Sequence, residues 1–363
     1  MASIKRRPDG KWRARYRDAQ KKEHARHFKL KRDAEAWLED VGHSVRAGSY
    51  VDPRGGKVPF SDFYREWADR QLWAVSTRET ADRAVDATPF LRTPLAQIER
   101  RHIEAWIKAM TAGERPLAPT TIRTRLNYVS MVFRGAVRDK RIPDDPTAGV
   151  KLPRRRRADQ AMTVPTVTQV RAALDAAPAE YRALVAVCAF AGLRLGEAAG
   201  LRAGDVNLDD RLLRVERQVQ GETVATTRLE APKAGSERTI AIPAELCNII
   251  RDHCEDIGTI RAENYLFFRG GELLNRNSAG HIWREIRKTA GLPEEHTLHT
   301  LRHFYASALI SSGCDVVTVQ RALGHAQPSI TLNIYAHLWP SAEDRTRAAA
   351  GELMRSVLEA DPR

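Results

Sequence analysis

Residues Lys11-Trp12-Arg13-Ala14-Arg15-Tyr16-Arg17 alternate with a period of two. A strand there carries Lys11, Arg13, Arg15 and Arg17 on one face and Trp12, Ala14 and Tyr16 on the other. Asp9-Gly10 is a turn signal before it, and Ala19 to Lys22 return the chain toward a second strand near Ala25 to Leu30. A helix follows with Ala34, Trp37, Leu38 and Val41 on one side, so segment 1–57 predicts a small sheet packed on one helix. Gly48 to Pro59 is linker-like. From Phe60 to about Gly149 the period becomes helical, with helices over Phe60 to Leu72, Arg78 to Phe90 and His102 to Ala112. Pro119-Thr120-Thr121 opens the longest, in which Ile122, Leu126, Val129, Phe133 and Val137 recur at helical spacing. Its other faces hold Arg123, Arg125, Arg134 and Arg138, either a solvated surface or one that tracks phosphates.

Segment 151–162 contains Arg154-Arg155-Arg156-Arg157, a run that cannot pack and reads as an exposed basic connector between segments 58–150 and 163–363. The last segment has the densest apolar pattern. Tyr181, Leu184, Val185 and Cys188 mark a buried helix that Gly192 can end. Strands are expected at Leu212 to Glu216, Thr223 to Arg228 and Arg238 to Ile242. Helices return at Ala244 to Asp256, Ser278 to Thr289, His299 to Ser312 and Val316 to Leu323, the last ended by Gly324. Pro328 suits the start of a helix carrying Tyr335. Beyond Trp339-Pro340, Ser341 to Leu358 reads as an amphipathic helix whose Leu353, Val357 and Leu358 dock on the same domain or on a neighbouring protomer. The fold class is multidomain α+β, mainly helical with small sheets.

Composition sharpens this picture in one respect. The 363 residues suit two or three domains, and 42% hydrophobic with 29% charged residues is ordinary for a globular chain. The balance of 59 Lys+Arg against 46 Asp+Glu, a net +13, points to a polyanionic partner, because cations on a phosphate backbone release condensed counterions. No apolar run follows Lys5, Arg6 and Arg7, so no signal peptide is expected. The longest apolar stretch, Ala183 to Ala191, is too short to span a bilayer. Cys188, Cys247, Cys254 and Cys314 form no CxxC pair and read as reduced core residues of a cytoplasmic protein.

One set of polar residues in the last segment resists explanation as packing. Arg194 lies in Gly192-Leu193-Arg194-Leu195-Gly196-Glu197, and Lys233 in the turn Ala231-Pro232-Lys233-Ala234-Gly235. His299 and Arg302 share a helical face in His299-Thr300-Leu301-Arg302-His303. His325 follows Leu323-Gly324, and Tyr335 comes ten residues later. His299 and His303 are also spaced for zinc, but no third ligand is evident and no metal or other cofactor is expected. Taken singly, Arg194 pairs with Glu197, Lys233 is a solvated turn lysine and Tyr335 a packed aromatic; their order raises them above those readings.

In that order the set resembles the tyrosine recombinases, the phage integrase family, whose catalytic residues run Arg, Lys, His-x-x-Arg, His or Trp, Tyr. The resemblance covers the second half of the chain and, more loosely, the arm-binding (1–57) and helical core-binding (58–150) domains before the catalytic domain (163–363). It implies catalytic Arg194, Lys233, His299, Arg302, His325 and Tyr335, with Glu197 and His303 supporting them. Phe304 departs from the threonine of many relatives.

The chemistry agrees. A phenol with a pKa of about 10 needs a proton acceptor and a positive field to attack a phosphodiester. Two guanidiniums grip non-bridging phosphate oxygens bidentately and stabilise the charge that builds there. Lys233 is placed to protonate the departing 5′ oxygen, and His299 and His325 to hydrogen-bond the phosphate or relay the tyrosine proton. The resemblance implies a 3′-phosphotyrosine intermediate, a homotetramer on two double-stranded DNA attachment sites, a host DNA-bending protein and an excision factor. Competing functions are a chromosome or plasmid dimer resolvase, a type IB topoisomerase and a DNA-binding regulator without catalysis.

Overall fold

The structure, a computed structural model, describes residues 2–17, 22–46, 50–52, 54–112, 115–153, 162–232, 235–339 and 342–359. Lys233 and Arg154, Arg155, Arg156 and Arg157 lie outside the described residues, as do parts of the expected linkers at 48–59 and 151–162. The chain divides into two compact units, Met1–Gln160 and Ala161–Arg363.

The first unit opens with a three-stranded antiparallel sheet in the order β1 (Ser3–Arg6), β2 (Trp12–Arg17), β3 (Glu23–Phe28), followed by α1 (Lys31–Arg46). Ala14 and Tyr16 are buried while Arg13 and Arg17 are exposed, the alternation that a half-buried strand requires. β1 is an addition to the expected pair of strands; at four residues, two of them exposed, it carries too little pattern to be read alone. Four helices follow: α2 (Phe60–Ala68), α3 (Val75–Asp86), α4 (Arg100–Thr111) and α5 (Pro119–Arg138). Their core includes Phe60, Phe63, Trp106, Ile122, Val129 and Phe133, with Phe60 and Phe133 stacked at 5.0 Å. α2 stops four residues before the expected Leu72, which is fully exposed.

The second unit is built around α7 (Ala179–Phe190), whose residues Ala183 to Ala189 are all buried. Before it comes α6 (Val167–Ala176), which apolar periodicity alone did not reveal. Its start is nevertheless written in Thr166 and Gln169, whose side chains cap each other's backbone N–H groups. After α7 a short α8 (Leu195–Ala199) leads into a sheet of order β4 (Val206–Asn207), β5 (Leu212–Val215), β8 (Arg238–Ala241). Between β5 and β8 the chain makes a hairpin of β6 (Gln218–Gln220) and β7 (Arg228–Glu230).

The expected strand Thr223 to Arg228 is corrected here. Gly221, at φ +112°, turns the chain, and the N–H groups of Glu222 and Thr223 bond to the Thr226 hydroxyl, winding Val224–Thr226 into one 3-10 turn. Threonine side chains that satisfy local backbone donors favour a turn over a strand.

Then come α9 (Ala244–Asp256), a hairpin β9 (Phe268–Arg269) and β10 (Glu272–Leu273), α10 (Arg276–Thr289), α11 (Leu298–Ser311), α12 (Val316–Leu323), α13 (Pro328–Tyr335) and α14 (Ala342–Leu358). α9 and α11 both pack on α7. Phe304 meets Phe190 edge-on at 6.3 Å beside the main core, so the departure at this position serves packing. On α14, Leu353, Met354, Val357 and Leu358 are exposed, so of the two alternatives for this tail, docking on its own domain is not seen at these residues.

Phe133→Ala removes a fully buried ring from the centre of the helical core and is expected to destabilise the first unit by about 3–5 kcal/mol. Calorimetry of the full chain should show one transition lowered and that of residues 161–363 unmoved.

Candidate active site

The site of the second unit begins at two glycine turns. Gly192, at φ +63°, ends the run after α7; a Cβ there would lie 2.4 Å from Tyr305 Cδ1. Gly324, also at φ +63°, ends α12, where a Cβ would lie 2.9 Å from an Arg238 guanidinium nitrogen. Only glycine enters this backbone region freely, and here the space is closed as well. Each turn offers a carbonyl to the same side chain: Arg302 donates to Gly192 O at 2.6 Å and to Leu323 O at 2.5 Å. Arg302, on α11, is 1% exposed and is thereby fixed between two loops far apart in sequence.

Arg194 stands at the N-cap of α8. Its backbone N–H donates to Glu197 Oε2 at 2.9 Å and its guanidinium to Glu197 Oε1 at 2.6 Å. Gly196 allows α8 to approach β6 so closely that a Cβ would sit 2.6 Å from Val219 O. Glu197 is buried and also receives Arg238, at 2.9 Å on Oε2 and 3.3 Å on Oε1, while Arg302 lies 4.0 Å away. Burial alone would raise the carboxyl's pKa, but the hydrogen bond and charge of Arg238 and the charge of Arg194 hold it below the usual range. Three guanidiniums thus share one carboxylate. The surplus is felt by Arg302, whose pKa falls to about 9 through burial and the repulsion of Arg194.

Arg238 is the residue that sequence reasoning missed. Its side chain is nearly buried and also donates to Ala322 O at 2.9 Å and Ser236 O at 3.1 Å, joining β8 to the end of α12. A signal existed: alternation along β8 puts Arg238 on the face of buried Ile240, an inward position where a charge needs a reason.

Tyr335 closes α13 and is 1% exposed, in a small core with Ala306, Ile310, Val319 and Leu323. Its hydroxyl lies 2.7 Å from His303 Nδ1. Burial pushes the phenol up to about 12 against the opposing pull of Arg302 and Arg194. His303 is pushed down to about 4, chiefly by burial and then by His299 and Arg302. His325, directly after Gly324, is held by Thr331 Oγ1 on Nδ1 at 2.9 Å, and burial with the nearby arginines takes it to about 4. His299 packs edge-on against His303 at 4.8 Å, and its pKa is also lowered, by burial first.

The structure therefore gathers Arg194, Glu197, Arg302, His303, His325 and Tyr335 into one cluster, with His299 beside His303. Lys233 is bracketed by described neighbours. Ala231 O accepts from Gln218 Nε2 at 2.7 Å, and Ser236 Oγ lies 3.4 Å from Arg194. Among the described residues no group of His, Cys, Asp and Glu is arranged to hold a metal ion.

The basic residues of the first unit are dispersed. Arg13 and Arg15 flank Glu23 at 3.4 and 3.6 Å, and Arg15 also donates to Ser3 Oγ, so an acid sits on the cationic face of β2. Lys11 is exposed at the turn before it. On α5, Arg123 and Arg134 are exposed, whereas Arg125 turns toward Met110 Sδ at 3.9 Å. Among the described residues no helix is long and apolar enough to cross a membrane.

A mainly helical α+β unit brings two arginines, paired histidines and a tyrosine together from α8, α11, the turn after α12 and α13, a cationic set of the kind that handles phosphate esters. The profile of the phage integrase family matches residues 160–341, and that of the phage integrase N-terminal domain residues 2–47. The chain belongs to the phage integrase family and is a tyrosine-type site-specific recombinase. It is 25% identical over 364 residues to a putative prophage phiRv2 integrase of Mycobacterium tuberculosis, covering 95% of this chain and 93% of that one. It is 31% identical over 259 residues to the tyrosine recombinase XerD of Bifidobacterium longum, covering 67% and 79%. Its fold is similar to that of the Tn1549 transposon integrase in complex with a circular intermediate DNA, with TM-score 0.69, 18% identity and coverage of 81% and 99%.

Glu197→Gln would leave Arg238 buried without a counter-charge, at an expected cost of about 3–5 kcal/mol near pH 7. Because the folded pKa of Glu197 is depressed, its contribution is present above the unfolded value near 4.5 and fades as pH falls through the folded one. Urea unfolding of both proteins should therefore show the gap closing in acid.

Proposed function

We propose that this recombinase integrates and excises a phage or integrative element by cutting DNA with Tyr335. The observation that carries this reading is the guanidiniums of Arg194, Arg238 and Arg302 around the one carboxylate of Glu197 beside a buried phenol, a net positive site suited to an anion. A scissile phosphodiester supplies it. Arg194 and Arg302 grip its non-bridging oxygens, with Glu197 and Arg238 holding Arg194 in place. His325 receives the Thr331 hydroxyl on Nδ1 and presents Nε2–H to the phosphate; His299 approaches from the open side. Lys233 protonates the 5′ oxygen as it leaves, a role supported by the anchoring of Ala231 and Ser236 on either side of it. The product is a 3′-phosphotyrosine and a free 5′ hydroxyl, one ester exchanged for another without ATP or metal.

Residues 1–57 are the arm-type DNA-binding domain, 58–150 the core-binding domain, 151–162 a basic linker and 163–363 the catalytic domain. Lys11, Arg13, Arg15, Arg17, Arg123, Arg125, Arg134 and the Arg154–Arg157 run meet phosphates. The protein works in the nucleoid as a homotetramer on paired attachment sites. A structural relative, at TM-score 0.59 and 18% identity, is a lambda integrase tetramer bound to a Holliday junction, covering 90% of this chain and 96% of that one. The exposed apolar residues of α14 supply a contact to a neighbouring protomer. A host bending protein and an excision factor complete the assembly. The N-terminal module distinguishes this reading from dimer resolution, which needs no arm-site contacts.

A suicide duplex nicked beside its crossover should trap wild-type protein covalently. Tyr335→Phe should trap none while binding DNA normally, and Arg302→Ala should trap at least about 100-fold more slowly. Trapping that survives Tyr335→Phe overturns the assignment.

A further inference from the structure

We propose that His303 takes the proton from Tyr335 as the phenol attacks DNA, and returns it when the phenolate leaves. The inference rests on Tyr335 as the nucleophile and adds the base that activates it. Among the described residues, the hydrogen bond of the Tyr335 hydroxyl is to His303 Nδ1, at 2.7 Å. His299 meets His303 edge-on at 4.8 Å and, among the described residues, makes no hydrogen bond to the Tyr335 hydroxyl. Both Glu197 oxygens accept from arginines, His325 Nδ1 is engaged by Thr331, and guanidiniums accept no hydrogen bonds. His303 also directly follows Arg302 on α11, so one rigid helix carries both a phosphate clamp and the base.

The step balances. The phenol O–H bond breaks and an Nδ1–H bond forms, while the phenol oxygen bonds to phosphorus and the bond from phosphorus to the 5′ oxygen breaks. That oxygen takes its proton from Lys233. In rejoining, a 5′ hydroxyl attacks phosphorus, the bond to Tyr335 breaks, and the His303 imidazolium protonates the departing phenolate.

The electrostatics make the base conditional on substrate. The titratable and charged groups acting on His303 are His299 and Arg302 on α11 itself and Tyr335 from α13. Without DNA, burial and these neighbours keep the ring neutral, with Nδ1 facing the phenol but little capacity to hold a second proton. A phosphodiester between Arg194 and Arg302 brings in the opposite charge and favours the imidazolium. Proton transfer is thereby confined to the complex in which there is a phosphate to attack.

The test compares wild type, His303→Gln, His303→Asn, Lys233→Ala and Tyr335→Phe in single-turnover trapping from pH 6 to 9.5, with DNA affinity measured for each. Each is run on an ordinary suicide duplex and on one with sulfur in place of the bridging 5′ oxygen, which leaves without a proton. Loss of a general base is expected to slow His303→Gln about 100-fold or more at pH 7. Its rate should climb roughly tenfold per pH unit as hydroxide replaces the imidazole, while the wild type stays nearly flat. The sulfur substrate should rescue Lys233→Ala and leave His303→Gln slow. Rates for both His303 variants within about threefold of wild type, or lowered equally at every pH, would overturn the role. Trapping by Tyr335→Phe would instead remove the nucleophile on which it rests.

Discussion

A single buried carboxylate organises this molecule's chemistry. Glu197 lies where a charge is tolerable only if it is neutralised, and the chain meets that demand with arginines from separate elements. Arg194 reaches it from the cap of α8, and Arg238 from the first position of β8. Arg302 stands a little further off on α11. Satisfying one anion with several cations brings the helix start, the sheet and the central helices to one point. It also leaves the point positively charged. The same interaction that closes the fold therefore sets the charge of the site.

The two glycine turns serve the same geometry from the backbone side. Gly192 and Gly324 both adopt a left-handed conformation, and the carbonyls of Gly192 and Leu323 converge on Arg302. A long, flexible side chain is thus held without a full ionic partner. Its fork is ready for an oxyanion with little rearrangement, which makes such a group effective in stabilising a transition state.

In the free chain the Tyr335 hydroxyl is closed off. Tyr335 is packed in a small apolar core, its phenol is harder to ionise than in water, and His299, His303 and His325 beside it are all harder to protonate. An exposed phenolate beside three arginines would be a standing hazard to any phosphate ester. Burial keeps the phenol protonated.

Much of this was legible in the chain. Period-two alternation marked β2, helical spacing marked α5 and α7, and glycine after an apolar helix marked both turns. The order of Arg194, Arg302, His325 and Tyr335 carried the reaction class. Local rules failed where elements are short or where side chains compete for the backbone, as at β1 and in the threonine-rich turn at Val224–Thr226. By itself, the sequence determined which residue types were present and in what order, because periodicity and chemistry are properties of neighbours along the chain. Only the tertiary structure decided that Arg238 answers Glu197 and that His303 meets the Tyr335 hydroxyl. Those pairings join residues 41 and 32 positions apart, and they depend on how intervening loops close and which buried charges must be satisfied.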